Sequence, residues 1–416
     1  MFLKRSFISA VLGAAMLVSA LPAEERSITL EEAVAQAMDR HPAVVQARLE
    51  VDAARGRRMQ LTAVPNPELA FEAGGLPLWN SSGEKEFSLG FSQMIEHPRK
   101  RAIRKDIGAL GEARAQLELD RARNVVRGRV ERAYFEAAFA QKSLADLDSL
   151  LLTLEDYTGL AVERYKAGEV AYLDVVRGRL EILRARNQII DGRRLLKEKT
   201  LALSLLLGES GYTPLSFTTP VGFAPLDRTW EELKAAALSG SSLHLAAEGE
   251  KLAGRSLALA RTMTLPDFTL GFFLPSKRLG GWGIELGLSL PLQRTAPRGA
   301  AMEAEALAGQ AAVSTEARTR EVLAVLERSY ADALSLEEQI RLFQDSLLRE
   351  VEESLKTGII NYRFGKSDSL SVLDIVRSLK EVRLEYLKAL LNHRLSLIDI
   401  AAAGEEAYFG TGELEL

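Results

Sequence analysis

The chain has 416 residues, 47% hydrophobic and only 6% aromatic, and is rich in Ala, Leu, Glu and Arg, a balance that favours long helices over a compact β protein. Lys plus Arg number 53 against 57 Asp plus Glu, and this net charge of -4 argues against a nucleic-acid partner, whose binders carry a basic excess. Cysteine is absent, which excludes disulfides, Cys-ligated zinc, iron–sulfur clusters, a thiol nucleophile and a lipid anchor on cysteine.

Residues 1–23 read as a signal peptide: Lys4 and Arg5 precede an apolar stretch from Phe7 to Leu21, about half of what a spanning helix needs. Small residues place cleavage after Ala20 or Ala23. No later stretch is long and apolar enough for a transmembrane helix, so a membrane crossing would have to use strands.

The remainder is one unit written twice, with a period of about 200 residues, far longer than solenoid repeats. Thr29-Leu30-Glu31-Glu32 returns as Thr229-Trp230-Glu231-Glu232, both capping-box helix starts. Pro67-Glu68-Leu69 returns as Pro266-Asp267-Phe268, and Leu89-Gly90-Phe91-Ser92 as Leu286-Gly287-Leu288-Ser289. Leu173-Asp174-Val175-Val176-Arg177 returns as Leu373-Asp374-Ile375-Val376-Arg377. The expected organisation is a first structural repeat over 24–208, a Pro-, Gly- and Thr-rich linker over 209–227, a second repeat over 228–404 and a C-terminal tail over 405–416.

Each repeat opens with two helices, at about 29–40 and 42–63 and at about 229–240 and 242–262. Two strands follow, within about 67–95 and 266–293. Leu69 and Phe71, then Phe87, Leu89 and Phe91, then Phe268, Leu270, Phe272 and Leu274, and finally Ile284, Leu286, Leu288, Leu290 and Leu292 each alternate with small or polar residues, the pattern of a strand with one apolar face. Either a hairpin on a water-soluble core or a tilted membrane-crossing strand satisfies it. Glu68, Glu72, Glu86 and Glu285 fall on the opposite face; in a barrel that face lines the lumen, because charge facing lipid is costly.

Two very long helices come next. In the first, Val126, Val130, Ala133, Ala137, Ala140, Leu144, Leu147, Leu151 and Leu154 keep a 4,3 spacing. In the second, Val322, Leu326, Ser329, Ala333, Leu336, Ile340, Phe343 and Leu347 do the same. Each breaks at a glycine turn, Tyr165-Lys166-Ala167-Gly168 and Tyr362-Arg363-Phe364-Gly365, and a returning helix ends near Gly208 or Gly404, where C-caps belong. Asp174 and Asp374 lie just after those turns, where a helix dipole favours a carboxylate and where a gate could also sit. The basic run Arg99, Lys100, Arg101, Arg104 and Lys105 at a helix start opposes the dipole, and anionic lipid head groups are the expected reason.

Four strands cannot close a barrel, and open edges are not tolerated in hydrocarbon, so strands that cross a membrane must be pooled between copies. Two copies would give eight strands with a filled interior; three would give twelve with room for a pore.

These features resemble the TolC family of outer-membrane efflux channels over essentially the whole mature chain. His41-Pro42-Ala43-Val44, Pro65-Asn66-Pro67-Glu68-Leu69 and Phe91-Ser92-Gln93-Met94-Ile95 resemble its heavy-metal and cation efflux branch. The resemblance implies a mainly α chain with a small β part, built as two tandem TolC-like repeats of helices plus a β-hairpin. It further implies a homotrimer whose 12-stranded outer-membrane β-barrel continues into a long periplasmic α-helical barrel. The implied partners are a periplasmic adaptor, an inner-membrane pump of the RND type and outer-membrane lipid, with no nucleic acid, cofactor, metal site or catalytic residue. Tyr165, Gly168, Asp174, Tyr362, Gly365 and Asp374 become the periplasmic tip, gate and adaptor-docking residues, although packing the hairpin ends would explain the tyrosines equally well. Two departures stand out: His97-Pro98-Arg99-Lys100-Arg101 replaces the branch's usual turn after strand two, and Ser367 and Ser371 stand where the family prototype has an Arg and an Asp at its constriction. The expected function is a passive exit duct of a tripartite efflux system. The alternatives are a duct for type I protein secretion or drugs, and a periplasmic coiled-coil scaffold.

Overall fold

The computed structural model describes residues 26–74, 86–275 and 281–404. The expected signal peptide and C-terminal tail lie outside the described residues. In chain order the elements are β1 (Arg26–Ile28), α1 (Leu30–Arg40), α2 (Pro42–Thr62), β2 (Glu68–Gly74), β3 (Glu86–Ile95), α3 (Pro98–Lys166), α4 (Tyr172–Leu206) and β4 (Leu215–Phe217). The second repeat gives α5 (Trp230–Leu238), α6 (Ser241–Thr262), β5 (Asp267–Pro275), β6 (Gly283–Ser289), α7 (Thr295–Leu342), α8 (Leu348–Arg363) and α9 (Ser369–Gly404), with a π-helical segment, Phe343–Leu347, joining α7 to α8.

The helix starts follow from local chemistry. Thr29 and Thr229 each accept a bond from the amide three residues on while Glu32 and Glu232 reach back, so both repeats begin with the capping boxes the sequence contains. His41 and His97 cap α2 and α3 through their ring Nδ1, each followed by a proline at the first helical position. α3 runs unbroken for 69 residues, which at ~1.5 Å per residue is about 100 Å. Gly168, Gly208 and Gly365 take φ of 74°, 80° and 73° and end α3, α4 and α8. Gly404 does not act this way: it is the last residue of α9 and is absent from the positive-φ glycines.

Four strands form one antiparallel sheet in the order β2-β3-β5-β6, so the two hairpins join through β3 and β5. The register pairs Leu69 with Phe91, Phe91 with Phe272 and Phe272 with Ile284. Leu69, Phe71, Leu89, Phe91, Phe268, Leu270, Phe272, Leu286 and Leu288 therefore share one face, and all are exposed in the single chain. β6 ends at Ser289, short of Leu290 and Leu292, because Ser289 is opposite Asp267, where its partner β5 begins.

The seam positions of α3 pack as their spacing predicts, with Val126, Val130, Ala137, Ala140 and Leu154 all buried. In the second repeat the spacing holds through Ile340 and then slips. The π segment inserts one extra residue per turn. Leu347 is left 36% exposed, and the half-buried Leu348 takes the seam before Val351, Leu355, Gly358 and Tyr362.

A second, two-stranded sheet pairs β1 in parallel with β4, which lies inside the stretch read as a linker. Tyr134 Oη donates to Ile28 O at 3.0 Å and accepts from Thr219 N at 3.0 Å, while Gln141 bonds Phe217 in both directions. The same strap continues onto the second repeat, where Arg394 donates to Gly222 O at 2.8 Å and the Leu226 amide donates to Glu337. It thus belts the middle of the helical rods. His393 is fully buried beneath it, 3.4 Å from Glu337 and against Phe223, and burial pushes its pKa down.

Candidate functional site

Two regions carry the residues singled out from the sequence: the ends of the helical hairpins and the polar face of the sheet.

At the hairpin ends α3, α4, α8 and α9 meet in one cluster built on Leu150, Leu154, Tyr157, Ala161, Val175, Val372, Leu373 and Val376. Tyr165 and Tyr362, alike in sequence, sit differently. Tyr362 is fully buried, with its ring 5.1 Å from that of Tyr157, whereas Tyr165 is 44% exposed and packs 5.3 Å from Tyr172. Tyr157 donates to Ser369 Oγ at 2.7 Å, tying the first hairpin to the start of α9. Burial pushes both the Tyr157 and Tyr362 phenols up, and the nearby Asp174 carboxylate adds to the rise. Close approach is required where the helices cross. A Cβ on Gly178 would lie 2.5 Å from Thr158 Oγ1, and one on Gly358 would lie 3.1 Å from Ile375 Cδ1.

Arginines bridge the two hairpins. The Arg164 guanidinium donates to the Tyr362 carbonyl, lies 4.9 Å from the Tyr362 ring centroid and bonds Glu169 at 2.9 Å. Arg377 of α9 pairs with Asp374 at 2.9 Å and reaches across to Glu181 of α4, which also takes Arg184 at 2.6 Å. Burial raises the Glu181 pKa, but the bonds from Arg377 and then Arg184 outweigh it and hold the carboxyl below its usual value. Asp174 lies in the first turn of α4 and pairs with Arg177 at 3.5 Å. Asp374 does not occupy the matching place on the dipole, because α9 begins at Ser369 and no acidic residue falls in its first turn. Asp368 instead supplies the N-terminal carboxylate, accepting from the Ser371 amide at 2.8 Å. The sequence signal for this was present, since an Asp three residues ahead of a helical Ser is a cap pattern. Arg164 carried no signal, since nothing in the spacing told which partner it meets.

On the sheet, Glu68 pairs with Ser92, Glu72 with Ser88 and Glu285 with Gly271 in register, and Glu86 stands opposite Gly74. Glu68, Glu72 and Glu285 therefore share the face opposite the apolar one. Glu72 accepts a bond from Ser88 at 3.4 Å. Trp282 stacks on Phe272 with centroids 6.3 Å apart. Of the basic run at the start of α3, Lys100 is taken by Asp267 at 2.8 Å and Arg104 by Glu96 at 3.2 Å. Only Arg99, Arg101 and Lys105 are left for the expected lipid contact. Among the described residues no group of three carboxylate, imidazole or thiol side chains is placed to hold a metal ion, and no helix is long and apolar enough to cross a membrane.

The profile of one protein family, described as "Outer membrane efflux protein", matches residues 33–209 and 234–403. The cobalt-zinc-cadmium resistance protein CzcC of Cupriavidus metallidurans is 24% identical over 377 residues, covering 87% of this chain and 86% of that protein. Crystal structures of CusC superpose with a TM-score of 0.76 at 19% identity, over 91% of this chain and 92% of that one. The outer membrane protein VceC of Vibrio cholerae gives a TM-score of 0.75 at 16% identity, over 91% of this chain and 97% of that one.

Proposed function

The chain belongs to the outer membrane efflux protein family, and from that membership we propose that three copies assemble into the passive exit duct of a tripartite pump for divalent metal cations. That it is an outer-membrane efflux channel of TolC type, and not an enzyme, follows from the family. The assembly, partners and cargo are the proposal. The observation that carries it is the sheet: four strands with one continuous exposed apolar face, edges at β2 and β6 that are unpaired among the described residues, and rods of about 100 Å attached below. Such a sheet is stable in lipid only when its edges are closed by other copies, and three copies give twelve strands.

In this reading the apolar face meets lipid, and Glu68, Glu72, Glu86 and Glu285 line the pore and favour cations over anions. The hairpin ends form the periplasmic mouth, where Tyr165, Gly168, Asp174, Tyr362, Gly365 and Asp374 shape the closable end and the surface met by an adaptor. Energy comes from an inner-membrane pump, of the RND type that the resemblance to the heavy-metal branch implies. A signal peptide ending at Ala20 or Ala23 delivers the chain. Deleting the gene and measuring growth in cobalt, zinc and cadmium salts tests the cargo. Sensitivity to those salts with unchanged tolerance of drugs and detergents is expected, and the reverse pattern would move the duct to drug efflux or protein secretion.

A further inference from the structure

The junction between the two repeats shows how one copy should meet the next. Within the chain, β3 pairs with β5, and the carboxylate of Asp267 at the start of β5 crosses to the start of α3. There it accepts from the His97 amide at 3.0 Å and from Lys100 Nζ at 2.8 Å. Both side chains are well covered, at 11% exposure for Lys100 and 22% for Asp267. The second repeat should offer the same junction on its far side, but that side is open. Among the described residues β6 is an edge strand with no partner on its far side, and α7 follows an N-cap residue, Arg294, that makes no side-chain cap bond.

The duplication says what belongs there. Leu286-Gly287 repeats Leu89-Gly90, and on that alignment the N-cap Arg294 falls on the N-cap His97. Pro67-Glu68 repeats Pro266-Asp267, so Glu68, exposed at the start of the other unpaired edge, β2, falls on Asp267. Proline stands at 297, where the first repeat has Lys100, so the charge must come from its exposed neighbours Arg294 and Arg298.

We propose that Glu68 of each copy crosses to the adjacent copy, accepts from its Arg294 amide, pairs with its Arg298 guanidinium and so caps α7, completing between copies the junction that Asp267 completes within one. This rests on the oligomeric-channel reading and deepens it, since α7 is uncapped until a second copy arrives. Carrying the β3–β5 register to the open edges sets Leu288, Leu290 and Leu292 opposite Ala73, Phe71 and Leu69 of the adjacent copy. Apolar residues then meet apolar residues on one face, whereas a slip of one position would put Glu68 and Glu72 on the wrong side. Completion of the ladder would also extend β6 past Ser289.

The test uses the full-length protein in outer membranes, where the cysteine-free chain gives no background. Leu69→Cys with Leu292→Cys should yield disulfide-linked dimers and trimers on oxidation, and the slipped pair Leu69→Cys with Leu290→Cys should yield none. Glu68→Lys or Arg298→Glu alone should cause loss of the heat-resistant oligomer, and the two together should restore it. An oligomer that forms but fails to cross-link at Leu69 and Leu292, or that is indifferent to both single reversals, overturns the junction and leaves the channel reading standing. A monomer in detergent solution by mass overturns both. The cysteine arm keeps every charge in place, so it decides the matter even if the reversed chains fail to insert.

Discussion

Replacing Arg164 with alanine should loosen the periplasmic end of the duct, and the structure sets the scale. Its side chain is only 12% exposed. It makes a charged hydrogen bond to the Tyr362 carbonyl and a cation–π contact with the Tyr362 ring. The charged bond is worth about 1.5–3 kcal/mol when its acceptor is left unpaired, and the cation–π contact about 0.5–1 kcal/mol. The link to Glu169, whose side chain is 55% exposed, adds little because solvent screens it. The tie between hairpins is therefore worth roughly 2–4 kcal/mol per copy, enough to shift an open–closed equilibrium by about 30-fold or more. Arg164→Ala protein in planar bilayers should show a higher open probability, with Arg164→Lys intermediate because it keeps the charge without the planar fork. Conductance and open probability equal to the wild type, in a variant with intact helicity and a heat-stable oligomer, would refute the idea that this arginine holds the two hairpin ends together.

Other consequences are read by thermal or chemical unfolding in detergent. Gly178→Ala should cost about 1–3 kcal/mol through the clash with Thr158, reduced by up to about 1 kcal/mol of helix propensity, and Thr158→Ala should recover part of the loss. Tyr157→Phe should cost about 1 kcal/mol by removing the bond to Ser369, while Tyr165→Phe should stay within about 0.5 kcal/mol. Leu348→Ala should destabilise by about 2 kcal/mol and Leu347→Ala by less than half of that, the order expected only if the π segment resets the seam. Glu131 is buried on α3, and burial, outweighing Arg127 nearby, raises its pKa from 4.5 to about 7. The folded carboxyl resists ionisation that the unfolded one accepts, so below pH 4.5 it costs nothing and the penalty grows as pH rises towards about 7. It should level off near roughly 3 kcal/mol. Glu131→Gln should flatten that pH dependence and raise stability at pH values above about 7.

The duplication, the strand faces, the long helices and the glycine turns were legible in the sequence because each rests on local pattern. Val126 to Leu154 repeats at 4,3 spacing whatever surrounds it, and Gly168 and Gly365 adopt the positive φ that only glycine takes readily. What escaped depends on pairing at long range. β1 and β4 have three residues each, too few for a period, and become strands only by meeting one another. The π segment hides because a 4,3 pattern can be continued through Leu347 on paper, although Leu347 is exposed and Leu348 half-buried. Tyr165 and Tyr362 occupy the same place in the repeat, yet the second is packed against Tyr157 while the first faces outward. Repeats copied in tandem lose their equivalence wherever the two copies face different neighbours.

The belt at mid-height constrains how the molecule can be made. The Leu30 amide, two residues past the first strand, donates to Thr219, 189 positions further along. A chain emerging from its N-terminal end must therefore hold Arg26–Ile28 unpaired until the whole first repeat and the strap behind it have appeared. Closing so long a loop carries an entropic penalty that grows only slowly with length, but nothing repays it early. The first repeat is thus a fragment that waits, with Ile28 and Tyr134 lacking their cover. Severing the gene at the repeat boundary would strand an unfinished waist on one piece and its missing strand on the other.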